Sequence, residues 1–202
     1  MDFEIKRVSS KEAKEFIREN HYSHSCHNGP SPCYGLYKSE DLIGCLVFAT
    51  PCSENVRSSI FGKECKSTVI ELHRLFIIDD TPKNTESWFI SRCLKRLKAD
   101  RPDIKAVISF ADSTEGHDGT IYKATNAKFC GMTTKATFYL DQENRLRHPR
   151  QNGVNISKDG ATTRGWIPVK RLSKYRYIWL LPQSKKEKRE LIKLSKYHNE
   201  TK

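Results

Sequence analysis

Ile104-Lys105-Ala106-Val107-Ile108-Ser109-Phe110-Ala111-Asp112 is the stretch on which the fold turns. From Ile104 to Ala111 it is nearly continuous apolar sequence of strand length, the pattern of a central strand covered on both faces, and it finishes on a carboxylate. A strand covered on both faces needs helices packed over it, and helical patterns flank it. Upstream, a strand from Thr68 to Ile78 leads through a loop, Asp79 to Asn84, into a helix in which Ile90, Cys93, Leu94 and Leu97 keep helical spacing. Lys95, Arg96 and Lys98 sit where cations suit the helix dipole, and Pro102 closes the segment. Downstream, Gly116 and Gly119 precede a short helical stretch, Thr120 to Asn126, and a strand pattern from Lys128 to Leu140.

Further out, Phe3, Ile5 and Arg7 begin a strand. Ser9 with Glu12 forms a capping box for a helix that carries Ala13, Phe16 and Ile17 on one face and ends near Asn20. A polar loop, His21 to Pro32, follows. Cys33 to Tyr37 and Leu42 to Thr50 then read as a hairpin joined by Lys38-Ser39-Glu40-Asp41. A polar, basic stretch runs to Ser173, a strand from Tyr175 to Leu181 is stopped by Pro182, and Lys185 to Tyr197 reads as a basic helix. The expected architecture is α/β, a mixed central sheet flanked by helices with a basic C-terminal extension. Residues 1–182 form the expected domain, with a basic insertion at about 142–174, and residues 183–202 a basic helix or tail.

The 202 residues suit one core, and the 37% hydrophobic content excludes a wholly disordered chain. The longest uninterrupted apolar runs, such as Leu46 to Ala49, fall far short of a membrane span, and Met1-Asp2-Phe3-Glu4 has no signal-peptide pattern. Seven cysteines without a CxxC pair argue for a reduced, intracellular chain. The net charge of +12 is regional: residues 1–141 carry 20 Lys and Arg against 19 Asp and Glu, whereas residues 142–202 carry 16 against 5. Such concentration points to a polyanion, nucleic acid or an anionic membrane surface; a solvated basic tail is the plainer reading.

In an α/β sheet, ligands collect at the carboxyl ends of central strands, here after Ile78 and Ala111. A carboxylate at the end of a buried strand is costly without a partner, which singles out Asp112 as a site residue. Glu71 and His73 fall on one face of their strand by alternation, with Leu72, Arg74 and Phe76 on the other, so Glu71 could serve as a general base or merely pair with His73. His21 and Tyr22 follow a helix directly, which suits a site role, and His21, His24, Cys26 and His27 do not match a common zinc spacing. In the loop from Asp80 to Ser87, amides at a helix start suit phosphate, and Asn84, Thr85 or Ser87 could cap the helix.

Ile121-Tyr122-Lys123-Ala124-Thr125-Asn126-Ala127-Lys128-Phe129, after strand, loop, helix and strand, resembles the core of the GNAT acyltransferase fold. His21-Tyr22-Ser23, Glu71-Leu72-His73-Arg74-Leu75, Pro82-Lys83-Asn84-Thr85-Glu86-Ser87, and Ser109-Phe110-Ala111-Asp112 with Gly119-Thr120-Ile121-Tyr122 resemble the phage Mom family of DNA adenine modification proteins, over roughly residues 10–145. The resemblance implies conversion of adenine in double-stranded DNA to its N6-carbamoylmethyl (methylcarbamoyl) form, which shields phage DNA from restriction. It also implies a phage- or prophage-encoded chain at work in the host cytoplasm. Acetyl-CoA or a related acyl donor would lie along Lys83, Asn84, Thr85 and Ser87, and Tyr122 would match the tyrosine that protonates the leaving thiolate. Because the new bond joins nitrogen to a methyl-derived carbon, simple acyl transfer does not suffice. His21, Tyr22 and Asp112 offer a donor set for iron.

Reaching the amine of a paired adenine demands base extrusion, with Tyr22, Tyr34 or Trp166 as rings to stack on it. Arg145, Arg147, Arg150, Lys170, Arg171, Lys174 and Arg176 are the expected phosphate contacts. Two rivals stay open: a GNAT N-acetyltransferase acting on a protein or small-molecule amine, and a non-catalytic DNA-binding anti-restriction protein. The oligomeric state is open too, a homodimer included.

Overall fold

The computed structural model describes residues 3–27, 29–51, 53–151 and 154–197. In chain order the elements are β1 (Phe3–Arg7), α1 (Ser10–Asn20), β2 (Cys33–Lys38), β3 (Asp41–Ala49), α2 (Glu54–Phe61), β4 (Val69–Ile77) and α3 (Thr85–Asp100). β5 (Ala106–Asp112), α4 (Thr120–Lys123), β6 (Lys128–Met132), β7 (Ala136–Leu140), β8 (Leu146–Arg147), β9 (Arg150–Gln151) and β10 (Val154–Asn155) follow. The last are α5 (Lys158–Thr163), β11 (Ile167–Arg171), β12 (Lys174–Leu180) and α6 (Lys185–Leu194). The chain makes two compact units, one from Met1–Ser109, Thr120–Cys130 and Tyr177–Lys202, the other from Phe110–Gly119 and Gly131–Arg176. The expected insertion at 142–174 falls inside the second.

The large sheet has the order β1-β2-β3-β4-β5-β12-β6. β1 to β4 pair antiparallel, whereas β4 and β5 are parallel, and such neighbours need a crossover, which α3 supplies. In the first unit alternation serves both faces. Cys33, Cys45 and Val47 pack with Ala13 and Ile17 of α1, while Tyr34 stacks edge-on against Phe48 and donates to Asp100 at the end of α3 at 2.8 Å. Fully burying Ile17 stabilises the fold by about 2 kcal/mol. Ser9 caps α1 as its spacing predicts, accepting from Glu12 N at 3.1 Å.

The parallel ladder runs from Val69–Ala106 to Glu71–Ile108 and stops there. Across from it, Val47 pairs with Arg74 and Phe48 with Leu72, so His73 is an extra residue in β4. This bulge breaks the expected alternation: Arg74 is not locked to the face opposite Glu71.

The second unit holds a three-stranded sheet, β11-β7-β8. The sequence pattern expected one strand from Lys128 to Leu140; the structure makes two, because Gly131 takes φ 83° and Thr133 turns to exchange hydrogen bonds with Lys174. α5 and β11, inside what read as a polar stretch, were not expected, nor was α2. α4 is a single turn, shorter than its pattern.

Candidate active site

β4 and β5 lose their ladder at Glu71–Ile108, and the gap is bridged by a side chain: Ser109 Oγ donates to Leu72 O at 3.0 Å. The same hydroxyl hydrogen-bonds Tyr122, on the single turn α4. Tyr122 is buried, and its ring is gripped by Tyr177 at 5.5 Å and edge-on by Trp179 at 5.4 Å between centroids. Trp179 Nε1 in turn donates to Thr125 Oγ1 at 3.0 Å, which pins the end of that turn. Burial pushes the phenol of Tyr122 up, with Tyr22 and Glu71 adding and the Ser109 hydrogen bond and Arg74 opposing. The phenol therefore stays protonated at neutral pH.

Glu71 and His73 are mostly buried, with Nδ1 of His73 3.5 Å from Oε1 of Glu71. Their expected pairing is thus present. The loop after α1 closes over this strand: Arg74 Nε donates to Ser25 O at 2.9 Å, and the His27 ring stands edge-on to His73 at 6.2 Å. Burial, aided by His73 and Lys14, lowers the pKa of His27. Loop and helix are tied at the other end by Ser10 Oγ, which donates to Ser31 O at 3.0 Å. His21 is buried where α1 ends, its Nδ1 accepting from Ser23 N at 3.1 Å, and Tyr22, 51% exposed, lies against its ring at 4.3 Å. Of the three rings expected to stack on an extruded base, Tyr22 is the exposed one. Tyr34 is fully buried, and Trp166 packs on Tyr139.

A cavity of about 340 Å³ opens beyond the end of β4, between the start of α3 and α4. Lys83, Asn84 and Ser87 line it, as do Asp79 and Glu86; Thr85 is buried beneath. The expected side-chain cap is absent: Asn84 sits at φ 69° without capping, Thr85 Oγ1 donates to Pro82 O, and Ser87 Oγ donates to Asn84 O. Thr85 N donates to Pro82 O at 3.2 Å, and among the described residues no side chain caps the amides of Glu86 and Ser87, which can therefore meet a ligand. Two carboxylates against one ammonium make the lining weakly suited to a highly charged group, although the amides and Lys83 fit a phosphate.

The second unit places Asp112, which is 4% exposed, under two cations. Its Oδ2 accepts from Arg171 at 2.8 Å and Lys174 at 2.9 Å, and its Oδ1 from Thr114 N at 3.1 Å. Burial raises the pKa of this carboxyl, but the hydrogen bonds from Lys174 and Arg171 outweigh it and bring it to about 2. Arg171 also holds Glu115 at 2.9 Å. Arg171 and Lys174, expected on phosphates, are thus engaged by carboxylates. So are Arg145 and Arg147, both on Asp141 Oδ2, whose carboxyl they hold far below its usual range together with backbone donors. Arg176 lies over Phe110 at 5.9 Å, and Lys170 is exposed on β11. The side chain of Arg150 lies outside the described residues.

The iron set does not fit. Both oxygens of Asp112 already accept hydrogen bonds from three donors, and an Nδ1 of His21 that accepts an amide proton leaves the neutral ring's own proton on Nε2. Among the described residues no group of three or more His, Cys, Asp and Glu is placed to hold a metal. No helix among them is long and apolar enough to cross a membrane.

The fold is that of the GNAT acetyltransferases. An N-acetyltransferase from Staphylococcus aureus superposes with a TM-score of 0.51 at 11% identity, covering 90% of this chain and 99% of its own. NAA60 of Arabidopsis thaliana, solved in complex with acetyl-CoA, gives 0.52 at 11%, covering 88% and 98%. Within that fold class the chain belongs to the Mom protein family, whose family model matches residues 2–199. It is 29% identical over 189 residues to the methylcarbamoylase Mom of Escherichia phage Mu, an alignment spanning 89% of this chain and 76% of that protein.

Ser109, Arg74 and His27 were not singled out from sequence as site residues. A hydroxyl inside a buried apolar strand was the available sign for Ser109, since such a group needs a partner. The other two depend on the bulge and the loop's path, which leave no periodic signal.

Proposed function

We infer that this chain is a DNA modification enzyme that converts adenine in double-stranded DNA to its N6-carbamoylmethyl (methylcarbamoyl) form. The observation that carries this reading is the family match over residues 2–199. Forming the new N–C bond requires the exocyclic amine to lose a proton and the leaving group to gain one. Glu71, paired with His73, is the base, directly or through a water, and Tyr122 is the acid, held neutral by burial. Ser109 orients the phenol. Tyr22, half exposed beside His21, is the ring that stacks on the extruded base. The cavity at the start of α3 takes the donor, of acyl-CoA type: Lys83 and the amides of Glu86 and Ser87 would hold its phosphates, and a bound donor of this class would supply carbon. Attack on its thioester carbonyl alone gives an N-acyl product, so the N–CH2 bond and the carbamoyl nitrogen require a further co-reactant, an amine-nitrogen donor that activates the methyl carbon. DNA is the macromolecular partner, and Lys170 and the other basic residues of 142–202 that no carboxylate holds supply its phosphate contacts.

Mass spectrometry of nucleosides from plasmid DNA, in cells making the chain or its Tyr122→Phe variant, tests this. Deoxyadenosine heavier by a carbamoylmethyl group is expected with the parent and reduced about a hundredfold or more with the variant. Unmodified adenine from well-folded parent protein would overturn it.

A further inference from the structure

A second cavity, of about 380 Å³, lies away from the first, where the edge strand β1 meets the outer face of α3. Its floor is aromatic: Phe3 and Trp88 are tilted against each other at 6.3 Å. Its rim is basic. Arg92, Lys95 and Arg96 are all exposed, and their spacing puts them with Trp88 on one helix face. Arg92 lies over the Trp88 ring at 5.7 Å, and among the described residues none of the three cations pairs with a carboxylate. The one acid in the lining, Glu4, is engaged by Lys6 at 3.0 Å. This is unlike the second unit, where Arg145, Arg147, Arg171 and Lys174 are held by acids.

We propose that this groove binds an unpaired stretch of polynucleotide, its bases against Trp88 and Phe3 and its phosphates on Arg92, Lys95 and Arg96. Charge complementarity selects a polyanion, and the rings select its form: a duplex hides its base faces in the stack, whereas a single strand offers them. The proposal rests on the reading of the chain as a DNA enzyme, whose target base must leave its stack and thereby unpair the strand locally. It adds a nucleic-acid contact in the part of the chain whose overall charge is balanced.

The test is binding of a fluorescein-labelled single strand of about twelve nucleotides, and of the same sequence as duplex, to the full chain across a salt series. The combined variant R92A/K95A/R96A is expected to flatten the single-strand salt slope by about 2, from about 0.7 per lost phosphate contact. Trp88→Leu, checked for folding by thermal unfolding, is expected to weaken single-strand binding about tenfold even at high salt, where charge is screened and stacking remains. Trp88→Phe keeps a ring and should retain most of the affinity. Unchanged single-strand binding in R92A/K95A/R96A, or losses seen with duplex alone, would overturn the proposal. Nucleoside analysis of the same proteins separates the two readings: a parent that modifies no DNA but shows these losses fails as a modification enzyme and keeps the groove.

Discussion

Replacing Asp112 with asparagine isolates one charge in the second unit. The amide keeps the shape of a protonated carboxyl, so the variant mimics the acid form of the parent at every pH. The folded carboxyl titrates at about 2 against an ordinary 3.8. Because the folded value is depressed, the stability this group contributes is complete above the unfolded value and is lost as pH falls through the folded one. At neutral pH the difference amounts to about 2–3 kcal/mol, or about sixtyfold in an opening equilibrium, and at pH 3 to about tenfold. The amides of Thr114, which donates to Asp112 Oδ1, and Leu172, which donates to Thr114 Oγ1, report on this locally. Their hydrogen-exchange protection should fall about sixtyfold in Asp112→Asn at pH 7, and by far less at pH 3. Equal protection in parent and variant at pH 7, or a deficit that does not shrink by pH 3, would refute the reasoning.

Glu71→Gln should lower turnover by a factor of about a hundred or more with little loss of stability, while Glu71→Asp keeps part of the activity, as initial rates on plasmid DNA would show. Glu86→Gln removes a carboxylate from the donor cavity and should tighten coenzyme A binding severalfold, measured by calorimetry; weaker binding would place the phosphates elsewhere. Ile17→Ala, in the fully buried face of α1, should cost about 2–5 kcal/mol in urea unfolding.

The first unit was largely legible because its signals are local and repeated. The capping box at Ser9 and Glu12, the helical spacing of Ile90, Cys93, Leu94 and Leu97, and the apolar run before Asp112 each name an element by periodicity. The second unit was not, because β11, β8 and α5 are short and polar, and pairing across the chain, Ile167 with Leu140 and Leu146 with Leu140, makes them strands. For the site, residue type pointed to Glu71 and His73, and the resemblance to the GNAT fold pointed to Tyr122. It could not distinguish Asp112 as a buried ionic anchor from Asp112 as a reacting group, since both roles call for a carboxylate at a strand end. Arg171 and Lys174, which hold its carboxylate, lie about sixty residues away.

β4 is in effect two half-strands with separate phases, joined at His73. The half before the bulge sets Glu71 by its parallel register with β5, and the half after it sets Phe76, which meets Phe16 of α1 at 6.0 Å. Glu71 and Phe76 are five residues apart, so strict alternation would put them on opposite faces; their partners Ala49 and Cys45 are four apart, and the extra residue is what brings both to one face. Removing His73 alone would close the bulge into a regular ladder with every other β3 partner kept, so what a deletion there takes away is the imidazole beside Glu71 and not the core.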